Sequence, residues 1–303
     1  MLQELLKRYI LFVISILFLV SPVFSQSKTD DEIVIAFLTD IHVQPERGAI
    51  EGFKKAIEKV NELNPDFVIT GGDLIFDALA VNFERADSLF DIYINLIKTI
   101  KAPVYNTIGN HDIFGWYEKS GVPRDHKFFG KKLYQSKLGK TYYSVELKGI
   151  KLFVLDSVEE VPEMGRYYGY INNEQLQWLK DELSRTDTTQ ILIVSTHIPL
   201  LTTFSQIRNG SMAANSRGLV VENSKDVFDL FKRHNLKFVL QGHLHIYEDL
   251  NIQNKLRFIT GGAVSGRWWA GPNEGLEEGF VLIKIKGDRI SVEYVDYGWE
   301  VAP

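Results

Sequence analysis

Asp, Asn and His recur in five short runs: Thr39-Asp40-Ile41-His42, Gly71-Gly72-Asp73, Gly109-Asn110-His111-Asp112, Ser195-Thr196-His197-Ile198-Pro199 and Gln241-Gly242-His243-Leu244-His245. In extended backbone, residues two apart point the same way, so Asp40 with His42 and His243 with His245 are same-side donor pairs. Asp40, His42, Asp73, Asn110, His197, His243 and His245 together offer too many oxygen and nitrogen donors for one tetrahedral ion. They suit two divalent cations roughly 3.5–4 Å apart that share a bridging carboxylate. The chain has no cysteine, which excludes thiol catalysis, disulfides, zinc fingers and iron–sulfur clusters. Manganese, iron or zinc are the metals this donor set favours. Such a pair would lower the pKa of a bridging water and draw in the negative oxygens of a phosphate.

Taken singly, each run reads as an ordinary turn or surface pair. The joint pattern is what carries weight, because each run follows a buried apolar segment. Of the seven histidines, five fall in these runs. His126 lies in a polar loop, and His234 ends a predicted helix, where a cation complements the dipole.

The elements that must position these runs alternate along the chain. Ile33–Leu38, Phe67–Thr70, Val104–Ile108, Ile191–Val194 and Phe238–Leu240 read as strands, each ending where a polar run begins. Amphipathic helices are predicted over Gly48–Leu63, closed by Pro65, and over Phe83–Ile100, Asn172–Thr186 and Asp226–Arg233. Tyr142–Leu147 and Lys151–Leu155 read as a hairpin, and Leu256–Val295 as several antiparallel strands with a turn at Lys286-Gly287-Asp288. Ser157–Tyr170 and Leu200–Asn223 are expected to be long irregular loops of the kind that carry function. No Pro-, Gly- or Ser-rich linker interrupts the chain, so residues 26–303 are expected to form one α/β domain of two packed sheets with flanking helices. Ligand sites in such folds lie outside the carboxyl ends of the strands.

The first 25 residues differ. Lys7 and Arg8 precede an apolar run from Tyr9 to Val20, and Ser21-Pro22-Val23-Phe24-Ser25 leads into a polar stretch. This is the pattern of a secretory signal peptide over 1–25, with the apolar run short of the roughly 20 residues that span a bilayer. A periplasmic or secreted protein with no stable membrane span after cleavage is expected; the alternative is anchoring by an uncleaved N-terminal segment. The net charge of -5 disfavours a nucleic-acid partner, which calls for clustered Lys and Arg.

The ordered set Asp40-x-His42, Gly72-Asp73, Gly109-Asn110-His111-Asp112, His197 and Gly242-His243-x-His245 resembles the calcineurin-like metallophosphoesterases. The resemblance spans roughly residues 33–265. It implies a four-layer α/β/β/α sandwich of two mixed sheets, with a dinuclear metal site at the strand ends. It places Asp40, His42, Asp73 and His245 on one metal, and Asp73, Asn110, His197 and His243 on the other. His111 would stand off the metals and serve the leaving group, oriented by Asp112. Purple acid phosphatases, which resemble this family, carry a ligand tyrosine three residues after the bridging aspartate; here that residue is Phe76, which argues against a ferric–tyrosinate centre. The chain looks closer to the bacterial branch that includes cyclic-nucleotide phosphodiesterase-like enzymes.

The expected activity is hydrolysis of a phosphomonoester or phosphodiester of a small molecule, a nucleotide among the candidates, by a metal-bridging hydroxide with His111 and Asp112 as catalytic residues. A phosphoprotein phosphatase and a non-catalytic metal- or phosphate-binding protein are the alternatives. Arg166, Tyr168, Arg267 and Trp268 are candidate substrate contacts, because aromatic faces stack rings and arginine grips phosphate. Oligomeric state is left open.

Overall fold

Alternate residues of strand β1 (Ile33–Leu38) face opposite ways into two separate apolar cores. Ile35 and Phe37 lie in one core; Val34, Ala36 and Leu38 lie in the other. A strand buried on both faces must sit between two layers, and that requirement organises the whole fold. The structure is a computed structural model that describes residues 32–161 and 166–301. The signal peptide expected over 1–25 lies outside the described residues.

The first sheet has the order β13-β12-β1-β2-β3. Beside β1 it contains β2 (Phe67–Thr70) and β3 (Val104–Tyr105), both parallel to it in sequence. The second sheet contains β4 (Tyr143–Leu147), β5 (Ile150–Val154), β8 (Ile191–Ser195), β9 (Asn235–Gln241), β10 (Tyr247–Ile252) and β11 (Leu256–Gly261), in the order β10-β11-β9-β8-β5-β4. Between β5 and β8, strands β6 (Val158–Val161) and β7 (Arg166–Gly169) form a small antiparallel pair of their own. Strands β12 (Gly279–Lys286) and β13 (Arg289–Asp296) close the first sheet as a hairpin, with β12 antiparallel to β1.

The helices cover the outer faces. On the first sheet lie α1 (Ala49–Leu63) and α2 (Phe83–Ile97); the rings of Phe53 and Tyr93 stack between them at 6.2 Å. Helix α1 ends at Asn64 in the left-handed conformation, just before Pro65. Helix α2 starts at Asn82, whose side chain accepts from the Arg85 N–H. After the short α3 (Lys132–Leu138), helix α4 (Asn173–Ser184) is capped in the same way by Asn172. After α5 (Phe204–Asn209), helix α6 (Ser224–Phe231) sets Phe231 edge-on against Phe153 of β5, with ring centroids 5.7 Å apart. Phe37, Ile69, Val154, Ile193, Leu240 and Ile283 fill the core between the sheets. The result is the α/β/β/α sandwich of two mixed sheets.

Several expectations shift. Val104–Ile108 pairs only at Val104 and Tyr105, because beyond that point the backbone turns toward Asn110. The helix expected to reach Ile100 ends at Ile97, where the Thr99 hydroxyl bonds back to the Leu96 carbonyl. The tail is not uniformly antiparallel: β10 returns from β9 and turns into β11, which therefore lies parallel to β9. Ser157–Tyr170 is not a plain loop but carries β6 and β7, and Leu200–Asn223 carries α5.

Candidate metal centre

The five polar runs meet at one end of the sandwich, past the carboxyl ends of β1, β2, β3, β8 and β9. Asp40, His42, Asp73, His243 and His245 all have positive φ, at 54°, 46°, 52°, 73° and 51°. Such conformations cost non-glycine residues of order 1–3 kcal/mol each and persist only where the surroundings over-determine them. Here they are pinned by mutual hydrogen bonds. Asp40 N donates to Gly72 O at 3.0 Å, His42 N to Asp73 O at 2.9 Å, and His243 N to Asp40 Oδ2 at 3.0 Å.

Two of the neighbouring glycines are forced by close approach. A Cβ on Gly109 would stand 2.1 Å from Asp73 N and 2.2 Å from Asp73 Oδ1. One on Gly242 would stand 2.0 Å from Thr39 Oγ1 and 2.6 Å from Asp40 Oδ2. Any side chain at either position displaces a carboxylate of the site.

The donors gather into two groups, Asp40–His42–His245 and Asp73–His197–His243, each with its ligand atoms within 4.8 Å of one another. Asp73 Oδ2 stands between them, 3.2 Å from His197 Nε2 and 3.6 Å from His42 Nε2. Asn110 joins the second group, its Oδ1 3.0 Å from His197 Nε2. Asp40 Oδ1 lies 3.4 Å from His245 Nε2. All seven side chains expected as ligands from the sequence are thus in one place.

The chemistry of this set fits cations. Each imidazole turns its outer nitrogen to a backbone carbonyl: His42 Nδ1 to Phe76 O at 3.4 Å, His197 Nδ1 to Gly71 O at 2.8 Å, His243 Nε2 to Gly218 O at 2.9 Å and His245 Nδ1 to Gly266 O at 2.7 Å. Donation outward leaves the inner nitrogen as a lone pair aimed at the centre, which is how metal-binding histidines are oriented. His42 Nε2 and His245 Nε2 face each other at 3.1 Å, an arrangement that a shared positive charge relieves.

Electrostatics tell the same story. Burial opposes charge on all these groups. It pushes His42 down to about 3 and, with help from His197, His243 to about 4. On His197 burial is outweighed by Asp73, and the value rises to about 9. His245 is raised in the same way by Asp40. Both carboxylates are held low against their own burial, Asp40 chiefly by His245 and Asp73 chiefly by His197. Two buried carboxylates thus favour positive charge at the centre, which a pair of cations would supply while leaving the inner nitrogens as lone pairs.

His111 stands outside the ligand groups, its ring edge-on to His42 at 4.9 Å. Its backbone N–H donates to Asp73 Oδ1 at 2.8 Å, which ties it to the carboxylate between the two groups. The expected partnership with Asp112 is not what the fold builds. Asp112 is fully buried and accepts from the N–H groups of Leu74 at 2.8 Å, Ile75 at 3.2 Å and Gly109 at 2.8 Å, lacing the β2 and β3 loops together. Burial, then Asp73, raises it to about 7. The carboxylate facing the His111 ring is Asp77, with Oδ1 3.4 Å from Nδ1. Burial disfavours charge on His111, but Asp73 and Asp77 outweigh it and raise its pKa.

The expected substrate contacts divide. Trp268 lies over the first group, its ring 4.6 Å from His245 and 5.9 Å from His42. It lines a cavity of about 300 Å³ with Arg47, Phe76, Asp77 and His111. Arg267 is exposed and bonds back to the Ala270 carbonyl at 3.2 Å, away from that cavity. Arg166 and Tyr168 sit two apart on β7, and Arg217 lies over the Tyr168 ring at 4.0 Å. The alternate residue, Tyr167, is the one that reaches the site, edge-on to His243 at 5.9 Å. Strand parity is the signal for Tyr167, and it has no reference in a segment whose sequence reads as a loop. Arg47 and Asp77 carried no sequence signal beyond proximity to the first two runs.

Paired ligand groups at the strand ends of an α/β/β/α sandwich define a dinuclear metallohydrolase architecture. The family model for calcineurin-like phosphoesterases matches residues 33–247, and the chain belongs to that family of metal-dependent phosphoester hydrolases. It is 26% identical over 195 residues to a probable cyclic nucleotide phosphodiesterase of Fibrobacter succinogenes, covering 64% of this chain and 63%, under two thirds, of that one. It is 25% identical over 226 residues to a 3′,5′-cyclic-nucleotide phosphodiesterase of Nostoc, covering 70% and 71%. A dimetal phosphatase from Danio rerio superposes with a TM-score of 0.62 at 14% identity, covering 88% of this chain and 96% of that one, a likeness of fold.

Proposed function

We propose that this chain hydrolyses a phosphoester of a small molecule, with a cyclic nucleotide phosphodiester the favoured substrate. The observation that carries the reading is Asp73 Oδ2 standing between two histidine groups, with His111 beside it at the wall of a cavity. The names of the Fibrobacter and Nostoc relatives support the choice of diester and nucleotide.

Asp40, His42, Asp73 and His245 would hold one divalent cation; Asp73, Asn110, His197 and His243 would hold the other, with manganese, iron or zinc suited to these donors. When bound, the pair supplies Lewis acidity and positive charge for a phosphoryl group. The chain's own residues do the rest. His111 presents a protonated ring to the cavity and delivers its proton to the departing oxygen, a contribution of about 10²–10⁴-fold. Asp77 faces that ring's Nδ1 at 3.4 Å. Trp268 and Phe76 line the cavity.

The N-terminal Lys7-Arg8 and apolar run support export, with cleavage after Ser25 and residues 26–303 as the working domain. Among the described residues no helix is long and apolar enough to cross a membrane.

The test is a panel of 3′,5′-cyclic nucleotides, nucleoside monophosphates and phosphoserine peptides on metal-loaded protein, repeated with chelator. Chelator-sensitive turnover of the cyclic nucleotides is the expected result. Preference for the peptides would make it a phosphoprotein phosphatase, and no turnover with metal bound would make it a binding protein.

A further inference from the structure

Trp268 and Trp269 are consecutive bulky residues that both have left-handed backbone, at φ 52° and 65°. Left-handed backbone is an outlier for a bulky side chain, and two in a row point to a constraint imposed from outside the turn. Trp269 is that constraint. It is fully buried, and its Nε1 donates to the carbonyls of Ile41 at 3.0 Å and His42 at 3.1 Å, inside the first polar run. Its ring fills the space left by Gly52 of α1, where a Cβ would come within 2.2 Å of it, and meets Trp299 edge-on at 5.9 Å.

The neighbouring ring is treated in the opposite way. Trp268 is 39% exposed, the Arg47 guanidinium holds its carbonyl at 3.1 Å, and its indole stands over His245 and His42 at the cavity wall. One tryptophan is sunk and bolted to the metal loop so that the next is held out, flat and apolar, beside the place where a phosphoryl group would sit. Leaving so large an apolar ring in water is unfavourable unless something covers it. Phe76 supplies a second aromatic ring to the same cavity.

We infer that Trp268 is a stacking platform that selects phosphoesters whose organic group carries a planar aromatic ring, a nucleobase in the first instance, over esters of sugars or alcohols. The inference rests on the proposed phosphoesterase reading and names the substrate class of that site. Stacking of one base on an aromatic side chain corresponds to about 5- to 150-fold in affinity.

The test separates recognition from turnover. Two non-hydrolysable phosphonates, one carrying adenosine and one carrying ribose alone, are titrated by calorimetry into metal-loaded wild type, Trp268→Ala and Trp268→Phe. Metal content and near-ultraviolet circular dichroism are measured beside each titration. The wild type should prefer the adenosine ligand by about 5- to 150-fold, Trp268→Ala should bring the ratio close to one with both metals retained, and Trp268→Phe should keep most of it. Equal affinities in the wild type, an unchanged ratio in Trp268→Ala, or loss of metal in that variant would each overturn the inference; the last would make the ring a shield for His42 and His245. A Trp268-dependent preference in a protein that turns over no phosphoester would sink the hydrolase reading and leave the platform standing.

Discussion

Asp77 Oδ1 lies 3.4 Å from His111 Nδ1, and both residues line the same cavity. In the proposed reaction this pair, rather than His111 with Asp112, is the proton-delivering unit. The two aspartates differ in what surrounds them: Asp77 is part of the cavity wall, whereas Asp112 is saturated by backbone donors.

Asp77→Asn should therefore keep both metals and lose part of the acid contribution, about 10–100-fold in turnover. The loss should be larger for an alkyl ester than for an aryl ester whose leaving group needs no proton. Equal losses on the two substrates would assign Asp77 to folding instead.

Asp112→Ala should act on stability. Three buried N–H groups would lose their acceptor, at about 1–3 kcal/mol for each buried group left unsatisfied. A loss of at least about 3 kcal/mol lowers the melting temperature by roughly 6–12 °C in a chain of this size. An unchanged melting temperature would contradict the bracing role.

Gly109→Ala probes the crowding around the bridge. Its Cβ would collide with Asp73 N and Oδ1, so the carboxylate must move. Metal affinity or turnover should fall by about 10–100-fold while the far-ultraviolet circular dichroism stays unchanged. Wild-type metal binding in this variant would show that Asp73 tolerates displacement.

Five left-handed residues at the centre store strain that bound cations would offset. Chelation should lower the melting temperature, and added manganese should restore it. Free metal at 100 times its dissociation constant stabilises by about 2.7 kcal/mol, or roughly 5–10 °C here. A melting temperature insensitive to both would mean that the site is built without help from metal.

Much of this arrangement is legible in the sequence, for a physical reason. Strands such as Ile33–Leu38 are buried on both faces, so their apolar runs are continuous, and the polar residues at their ends stand out sharply. Asp40, Asp73, Asn110 and the four histidines gathered with them are readable because they interrupt such runs. What lies outside the buried strands reads poorly. Strand β10, Tyr247–Ile252, sits at a sheet edge and carries Glu248, Asp249 and Asn251, so no apolar run marks it. Strand β7 is four residues long, and without its pairing to β6 the parity that separates Tyr167 from Tyr168 has no reference. Asp112 is adjacent to His111 in sequence, but a tight helical turn over Asn110–Asp112 points it inward; adjacency along the chain said nothing of direction.

The proposed reaction requires two cations sharing Asp73, and metal stoichiometry tests that most directly. Elemental analysis of purified, metal-reconstituted wild type should give two divalent ions per chain, and Asp73→Asn should lose at least one of them together with turnover. A wild-type value of one or none, or an Asp73→Asn protein that still holds two, would contradict it.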